Sequence, residues 1–284
     1  MSAAATIDAS LREAAGLVQR CSDSPRLDAE VLLAKALSRS RTALVMLADA
    51  PLTAGAAGEF QRLLEERCRG VPVAYLTGTR EFWSLALRVS PAVLVPRPET
   101  EELVERVLER LPADLPVRVL DLGTGSGAIA LALASERPAA RITAIDVSPA
   151  ALEIAAGNAA ALRLANIDWR CGSWFTPVAG ERFDIIVSNP PYIAADDPAL
   201  DALRFEPALA LTPGQQGMEA FMAIVAGAPR HLTPGGLIAL EHGASQADAL
   251  CALLAAHGFD SVQSHHDRAG RARALTGTLL QPQP

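Results

Sequence analysis

The chain has 284 residues, half of them hydrophobic, and 25 Lys+Arg against 32 Asp+Glu give it a net charge of −7. That length admits one large domain or two smaller ones, and the apolar half excludes general disorder. The acid excess argues against tight nonspecific nucleic-acid binding, which needs a basic face, and no run of about 20 apolar residues offers a membrane span.

Residues 7 to about 70 read as helical and free of strands. Asp8 or Ser10 is expected to cap a first helix, Ser24 and Pro25 to open a second, and Leu44, Val45 and Leu47 to form a third apolar patch. Phe60, Leu63 and Leu64 line a fourth helix. Such a bundle, residues 1–70, serves either as a scaffold or as a grip on a macromolecular partner. Residues 71–97 read as a linker holding a β-hairpin, with strands at 81–84 and 87–90. Prolines punctuate 91–98 and deliver Glu99, Thr100, Glu101 and Glu102 into a helix whose acidic first turn suits its dipole.

From Val117 strands and helices alternate, which means a parallel sheet covered on both faces. Strands are expected at 117–121, 141–146, 167–171, 184–188, 236–241, 259–264 and 273–280, with helices at 127–136, 149–163, 218–232 and 245–257. The four cysteines, Cys21, Cys68, Cys171 and Cys251, have no metal-ligand spacing and read as free, buried thiols of a reducing cytoplasm. The N-terminus lacks the basic and apolar regions of a signal peptide, so a cytoplasmic location is expected.

The first strand of the sheet runs into Gly123, Thr124, Gly125, Ser126 and Gly127 and then directly into a helix. Glycines there let the backbone pass close under a ligand at positive φ. The second strand ends at Asp146, whose carboxylate can accept both hydroxyls of a ribose. Read alone, this pair fits a nicotinamide dinucleotide as well as S-adenosylmethionine. Trp174, past the third strand, could lie against an adenine ring or simply fill the core.

The fourth strand decides between them. Ile185, Ile186 and Val187 form a buried run that stops at Asn189, Pro190, Pro191 and Tyr192. A bland reading is a proline-rich turn. The chemical one is methylation of a planar amino nitrogen: the Asn189 side-chain oxygen and the Pro190 carbonyl each accept from an –NH2 group, and the Tyr192 ring stacks on the flat group that bears it. This tetrapeptide has no role in hydride transfer and an obvious one beside a sulfonium methyl.

With these motifs the sequence resembles the HemK/PrmC family, the release-factor glutamine methyltransferases. The likeness extends over 72–78, 81–83, the Val-Pro-Arg-Pro-Glu-Thr-Glu stretch at 95–101, Ser173 to Phe175, 204–207, 210–214 and 241–243. It implies a seven-stranded, Rossmann-like, S-adenosylmethionine-dependent methyltransferase domain over 98–284, behind a small helical domain that helps hold the substrate. It further implies transfer to the glutamine amide of the Gly-Gly-Gln motif in class-1 peptide chain release factors, with no direct nucleic acid and no membrane as partner. The cofactor would touch Gly123 to Gly127, Asp146, Trp174 and Asn189, and the target amide Asn189, Pro190, Pro191 and Tyr192. One departure is Ser173, where family members often carry an acidic residue. The rival enzyme is an amino methyltransferase of adenine or guanine in nucleic acid, which predicts a basic face and a target-reading domain after the catalytic sheet, whereas here the expected sheet runs almost to the last residue given. Arg97 and Glu101 line the substrate entrance or form structural pairs; His242 borders the site or is structural. His265 and His266, and the turn at Asp267, Arg268, Gly270 and Arg271, read as surface.

Overall fold

A computed structural model describes residues 6–280, and the chain divides between Thr79 and Arg80 into two compact units. The first is helical: α1 (Ile7–Val18), α2 (Pro25–Leu37), α3 (Arg41–Met46), α4 (Ala54–Cys68) and the short α5 (Val73–Thr77). Thr6, rather than Asp8 or Ser10, caps α1, its hydroxyl accepting from the Ala9 amide at 3.3 Å. Pro25 opens α2 as its first residue, where a missing N–H costs nothing. Leu11, Val18, Leu32, Leu33, Phe60 and Leu63 meet in one core. Of the third apolar patch only Leu44 is buried; Val45 is 79% exposed. The segment after α4 is not a plain connector, because Val73 and Leu76 of α5 pack on this helical core. The Arg67–Asp28 ion pair at 2.8 Å ties α4 to α2.

The second unit begins with a hairpin of β1 (Thr79–Phe82) and β2 (Leu85–Arg88), followed by α6 (Thr100–Arg110), β3 (Arg118–Leu122), α7 (Ala128–Glu136), β4 (Arg141–Asp146) and α8 (Pro149–Leu162). β5 (Ile167–Cys171), β6 (Phe183–Ser188), α9 (Ala199–Ala202) and α10 (Glu219–His231) come next, then β7 (Leu232–Glu241), α11 (Ala247–Ala256), β8 (Phe259–His266) and β9 (Ala272–Leu279). Among the described residues the sheet has seven strands in the order β5-β4-β3-β6-β7-β9-β8, parallel except for β9, which pairs antiparallel with both neighbours. Apolar clusters lie on each face of it, one around Leu103, Leu131 and Val119, the other around Leu120, Phe221 and Leu250.

The hairpin differs from the sequence reading. Trp83 and Ser84, expected in a strand, are its turn, with φ of 52° and 58°. Two successive positive φ values normally call for Asn-Gly. Here the Trp83 amide donates to Glu101 Oε1 and its indole N–H to Glu136 Oε1, both at 2.9 Å, which holds the ring in place despite the backbone cost. β7 starts at Leu232 instead of 236, with Pro234 inside it and a register shift against β6 between Phe183 and Ile185. The cysteines are unpaired, but Cys68 and Cys171 are exposed rather than buried.

Candidate active site

The chain enters the sheet at β3, moves outward through β4 and β5, then returns to β6 on the other side of β3. Such a reversal opens a crevice at the C-terminal ends of the central strands, where open α/β sheets bind ligands. A cavity of about 510 Å³ lies there, lined by Gly123, Asp146, Trp174 and Asn189 from the ends of β3, β4, β5 and β6, with Thr100 from α6.

The loop after β3 is shaped for close approach. Gly123, Gly125 and Gly127 have φ of 73°, 56° and 84°. At Gly125 nothing lies within 4 Å of where a Cβ would sit, so the backbone is open on the cavity side. Gly127 caps α7 and serves packing: a Cβ there would press on Leu131, Ala155 and Trp169 at 3.0–3.2 Å. Thr124, Gly125 and Ser126 line the cavity; Gly127 does not. Below the loop, fully buried Asp121 accepts from the Thr124 hydroxyl at 2.6 Å, and burial raises its pKa to about 7.

Asp146 accepts from the Gly125 amide at 2.8 Å and the Ser148 amide at 2.9 Å, so it steadies the loop while remaining partly open to the cavity. Each carboxylate oxygen keeps a lone pair for a ribose hydroxyl. Trp174, itself at φ 45°, packs on the sheet core with its ring 3.9 Å from the Cβ position of Gly123. A glycine floor, a carboxylate at its side and an indole against it fit a nucleoside. Ser173 is exposed at the rim.

At the end of β6, the Asn189 Nδ2 donates to Thr100 Oγ1 at 3.2 Å. Asn189 and Pro191 line the cavity; Pro190 is buried behind them and Tyr192 lies outside the lining. The Tyr192 hydroxyl points to Glu241 Oε1 at 3.4 Å, and burial, then that carboxyl, raises its pKa. Glu241 is 2% exposed at the end of β7, and burial lifts it to about 7. Its neighbour His242 is fully buried, its Nδ1 2.8 Å from the Gly243 carbonyl, and burial lowers its pKa. His242 does not line the cavity, which leaves it the structural role.

Two anchors have no local mark in the sequence. Asn158 of α8 accepts from the Arg88 amide at 2.8 Å and donates to the carbonyls of Arg88 and Ser126 at 3.1 and 3.0 Å, joining hairpin, glycine loop and helix. Gln246 donates to the carbonyls of Tyr192 and Gly217 at 3.1 Å each and accepts from the Gly243 amide at 2.9 Å, clamping the end of the tetrapeptide. Arg97 lines the cavity and pairs with buried Glu206, which also accepts from the Val95 amide at 3.0 Å. Glu101 is tied to the hairpin turn, a structural contact. His265 bonds Thr276 at 2.9 Å, and Asp267 ties its turn through the amides of Ala269 and Arg271.

Comparison with known proteins agrees with this geometry. The model of the PrmC N-terminal domain matches residues 9–78, and that of the methyltransferase small domain residues 103–205. A release factor glutamine methyltransferase of Xylella fastidiosa is 52% identical over 254 residues, 89% of this chain and 92% of the relative. That of Escherichia coli is 45% identical over 273 residues, 95% and 98% of the two chains. The crystal structure of a methyltransferase from Pyrococcus furiosus, 21% identical, superposes with a TM-score of 0.54 over 69% of this chain and 89% of its own, which shows the shared fold. Relatedness of this extent, running through both compact units, establishes that the chain belongs to the release factor glutamine methyltransferases, S-adenosylmethionine-dependent enzymes.

Proposed function

We propose that the chain methylates the side-chain amide nitrogen of the glutamine in the Gly-Gly-Gln motif of class-1 peptide chain release factors, in the cytoplasm. The observation that carries this reading is the meeting of Asn189 with Gly123, Gly125, Asp146 and Trp174 around one cavity. Gly123 to Ser126, Asp146 and Trp174 hold S-adenosylmethionine, which supplies an electrophilic methyl group on a sulfonium sulfur, while Gly127 packs behind the loop at the start of α7. Asn189 Oδ1 and the Pro190 carbonyl accept the two N–H bonds of the target amide and leave its out-of-plane face free to attack. Pro191 walls the cavity, and Tyr192, outside the lining, closes the tetrapeptide through its hydroxyl contact with Glu241. The nitrogen sheds one proton as it gains the methyl, so no charged base is needed. Orientation is the main catalytic resource of such a site, worth roughly 7–11 kcal/mol where two reactants are fully positioned.

The test is labelled methyl transfer to a purified release factor, with its Gly-Gly-Gln glutamine replaced as control and an adenine-rich DNA oligonucleotide beside it. Label on the intact factor alone is expected. Label on the DNA and none on the glutamine would overturn the assignment.

A further inference from the structure

Directly after Tyr192 the chain makes a loop that closes on itself, the Ile193 amide donating to the Leu211 carbonyl at 2.9 Å. Between these ends it carries α9 and a single 3-10 turn, Ala208–Ala210, and from Ile193 to Ala210 its one buried residue is Glu206, 7% exposed. A loop with so little apolar burial has no core to fix it and would be mobile unless its polar groups were tied down. Glu206 supplies that tie. Its carboxylate accepts from the buried Val95 amide at 3.0 Å and pairs with the Arg97 guanidinium. Residues 92–97 lie outside every strand and helix, so this one carboxylate joins two irregular stretches far apart in sequence. Both stretches line the cavity, Leu94 and Arg97 from the first, Pro207, Leu209 and Ala210 from the second. Leu209 is 66% exposed although it belongs to that lining, which puts a large apolar side chain at the rim. Such a side chain gains from any partner that takes it out of water. A protein that brings its glutamine to Asn189 enters this same cavity.

We propose that the loop 193–211 is a clamp for the protein substrate: Leu209 packs against the chain that carries the target glutamine, and Glu206 is the positioning residue that holds Leu209 at the cavity rim through Val95 and Arg97. Glu206 is itself outside the cavity lining and acts only through the loop it fastens. The proposal rests on the release factor as substrate and on Asn189 as the ligand of its amide. Serine at 209 would remove the apolar contact and methionine would keep it. Glutamine at 206 would remove the charge that pairs with Arg97 and loosen the loop.

The experiment is steady-state methylation of a release factor at saturating cofactor by wild type, Leu209→Ser, Leu209→Met, Glu206→Gln and the double variant Glu206→Gln/Leu209→Ser. Calorimetric titration of S-adenosylmethionine and amide hydrogen exchange over 193–211 accompany it. Leu209→Ser should raise KM for the factor about fivefold or more, with the saturated rate within about threefold of wild type and cofactor affinity held. Leu209→Met should keep KM within about twofold of wild type. Glu206→Gln should raise KM comparably and speed exchange over 193–211, which Leu209→Ser leaves as it is. The double variant should match the worse single one, because both changes act on one contact. A smaller rise in KM for Leu209→Ser, or a loss of its cofactor affinity, would overturn the clamp. Rises that multiply in the double variant, or exchange unchanged by Glu206→Gln, would overturn the positioning role. Should Glu206→Gln fail to fold, Arg97→Gln breaks the same pair from the other side and takes its place. An inactive wild type would instead overturn the release-factor reading.

Discussion

Asp146 carries two tasks, and a substitution should separate them. Its oxygens order the loop through Gly125 and Ser148, and its open side is the ribose acceptor. Asp146→Asn keeps one acceptor oxygen but loses the charge. Hydrogen bonds to a charged group contribute about 1.5–3 kcal/mol, so S-adenosylmethionine affinity should fall roughly tenfold to a hundredfold in calorimetric titration. Unchanged affinity would remove Asp146 from the ribose. Asp121 poses a different question, one of stability. Its carboxyl is fully buried, and its pKa rises from the ordinary 3.8 to about 7. The folded state therefore keeps a proton that the unfolded chain sheds, and this contribution, full below about pH 4, is lost as pH rises through 7. Asp121→Asn removes the titration. The variant's melting temperature minus that of wild type should increase between pH 5 and pH 8, by the equivalent of about 1–3 kcal/mol; a flat difference would refute the buried-carboxyl account.

At the scale of elements, much was legible because the chemistry is written in contiguous stretches at strand ends. Of the residues expected from motifs and from the family resemblance, Gly123 to Ser126, Asp146, Trp174, Asn189 and Pro191 line the cavity, and Gly127, Pro190 and Tyr192 do not. Strand 184–188 showed in its β-branched run Ile185, Ile186 and Val187. What escaped is what rests on distant partners. Asn158 reads as an ordinary helical residue, yet it bonds Arg88, 70 positions away, and Ser126. Trp83 and Ser84 read as strand because neither favours the positive φ this turn requires; the bonds of Trp83 to Glu101 and Glu136 override that preference. The Thr-Pro-Gly-Gly start of β7 was hidden by residues that normally break ladders. Asn158→Leu offers a direct check on the first of these. The Asn158 side chain is buried, as is its bond to Ser126, and the two to Arg88 are partly so; each buried group left unpaired costs about 1–3 kcal/mol. Chemical denaturation should show a loss of at least about 2 kcal/mol, accompanied by weaker cofactor binding through the displaced Ser126. A stability loss with cofactor affinity intact would confine Asn158 to the hairpin.

At the scale of the molecule, the two compact units have separate cores and separate chemistry. Leu11, Leu32 and Phe60 belong to one core, and the sheet clusters contain none of them. Among the described residues the cavity lining starts at Phe82, so the helical unit contributes nothing to it. No helix of the described residues is long and apolar enough to cross a membrane. The helical unit is thus left with either scaffolding or a grip on the protein substrate, and a truncation distinguishes these. A cut at residue 70 would carry α5 along and expose Val73 and Leu76, which pack on the helical core; starting at Gly78 avoids this while keeping the whole hairpin. That fragment should melt cooperatively and bind S-adenosylmethionine as the full chain does, because every cavity residue is retained. If the helical unit grips the release factor, KM for the factor should rise at least about tenfold, or 1.4 kcal/mol of lost binding, with the rate at saturating factor little changed. A fragment that methylates a dilute release factor as efficiently as the full chain would leave the helices without a role in recognition. One that fails to bind the cofactor would make them a scaffold for the sheet unit.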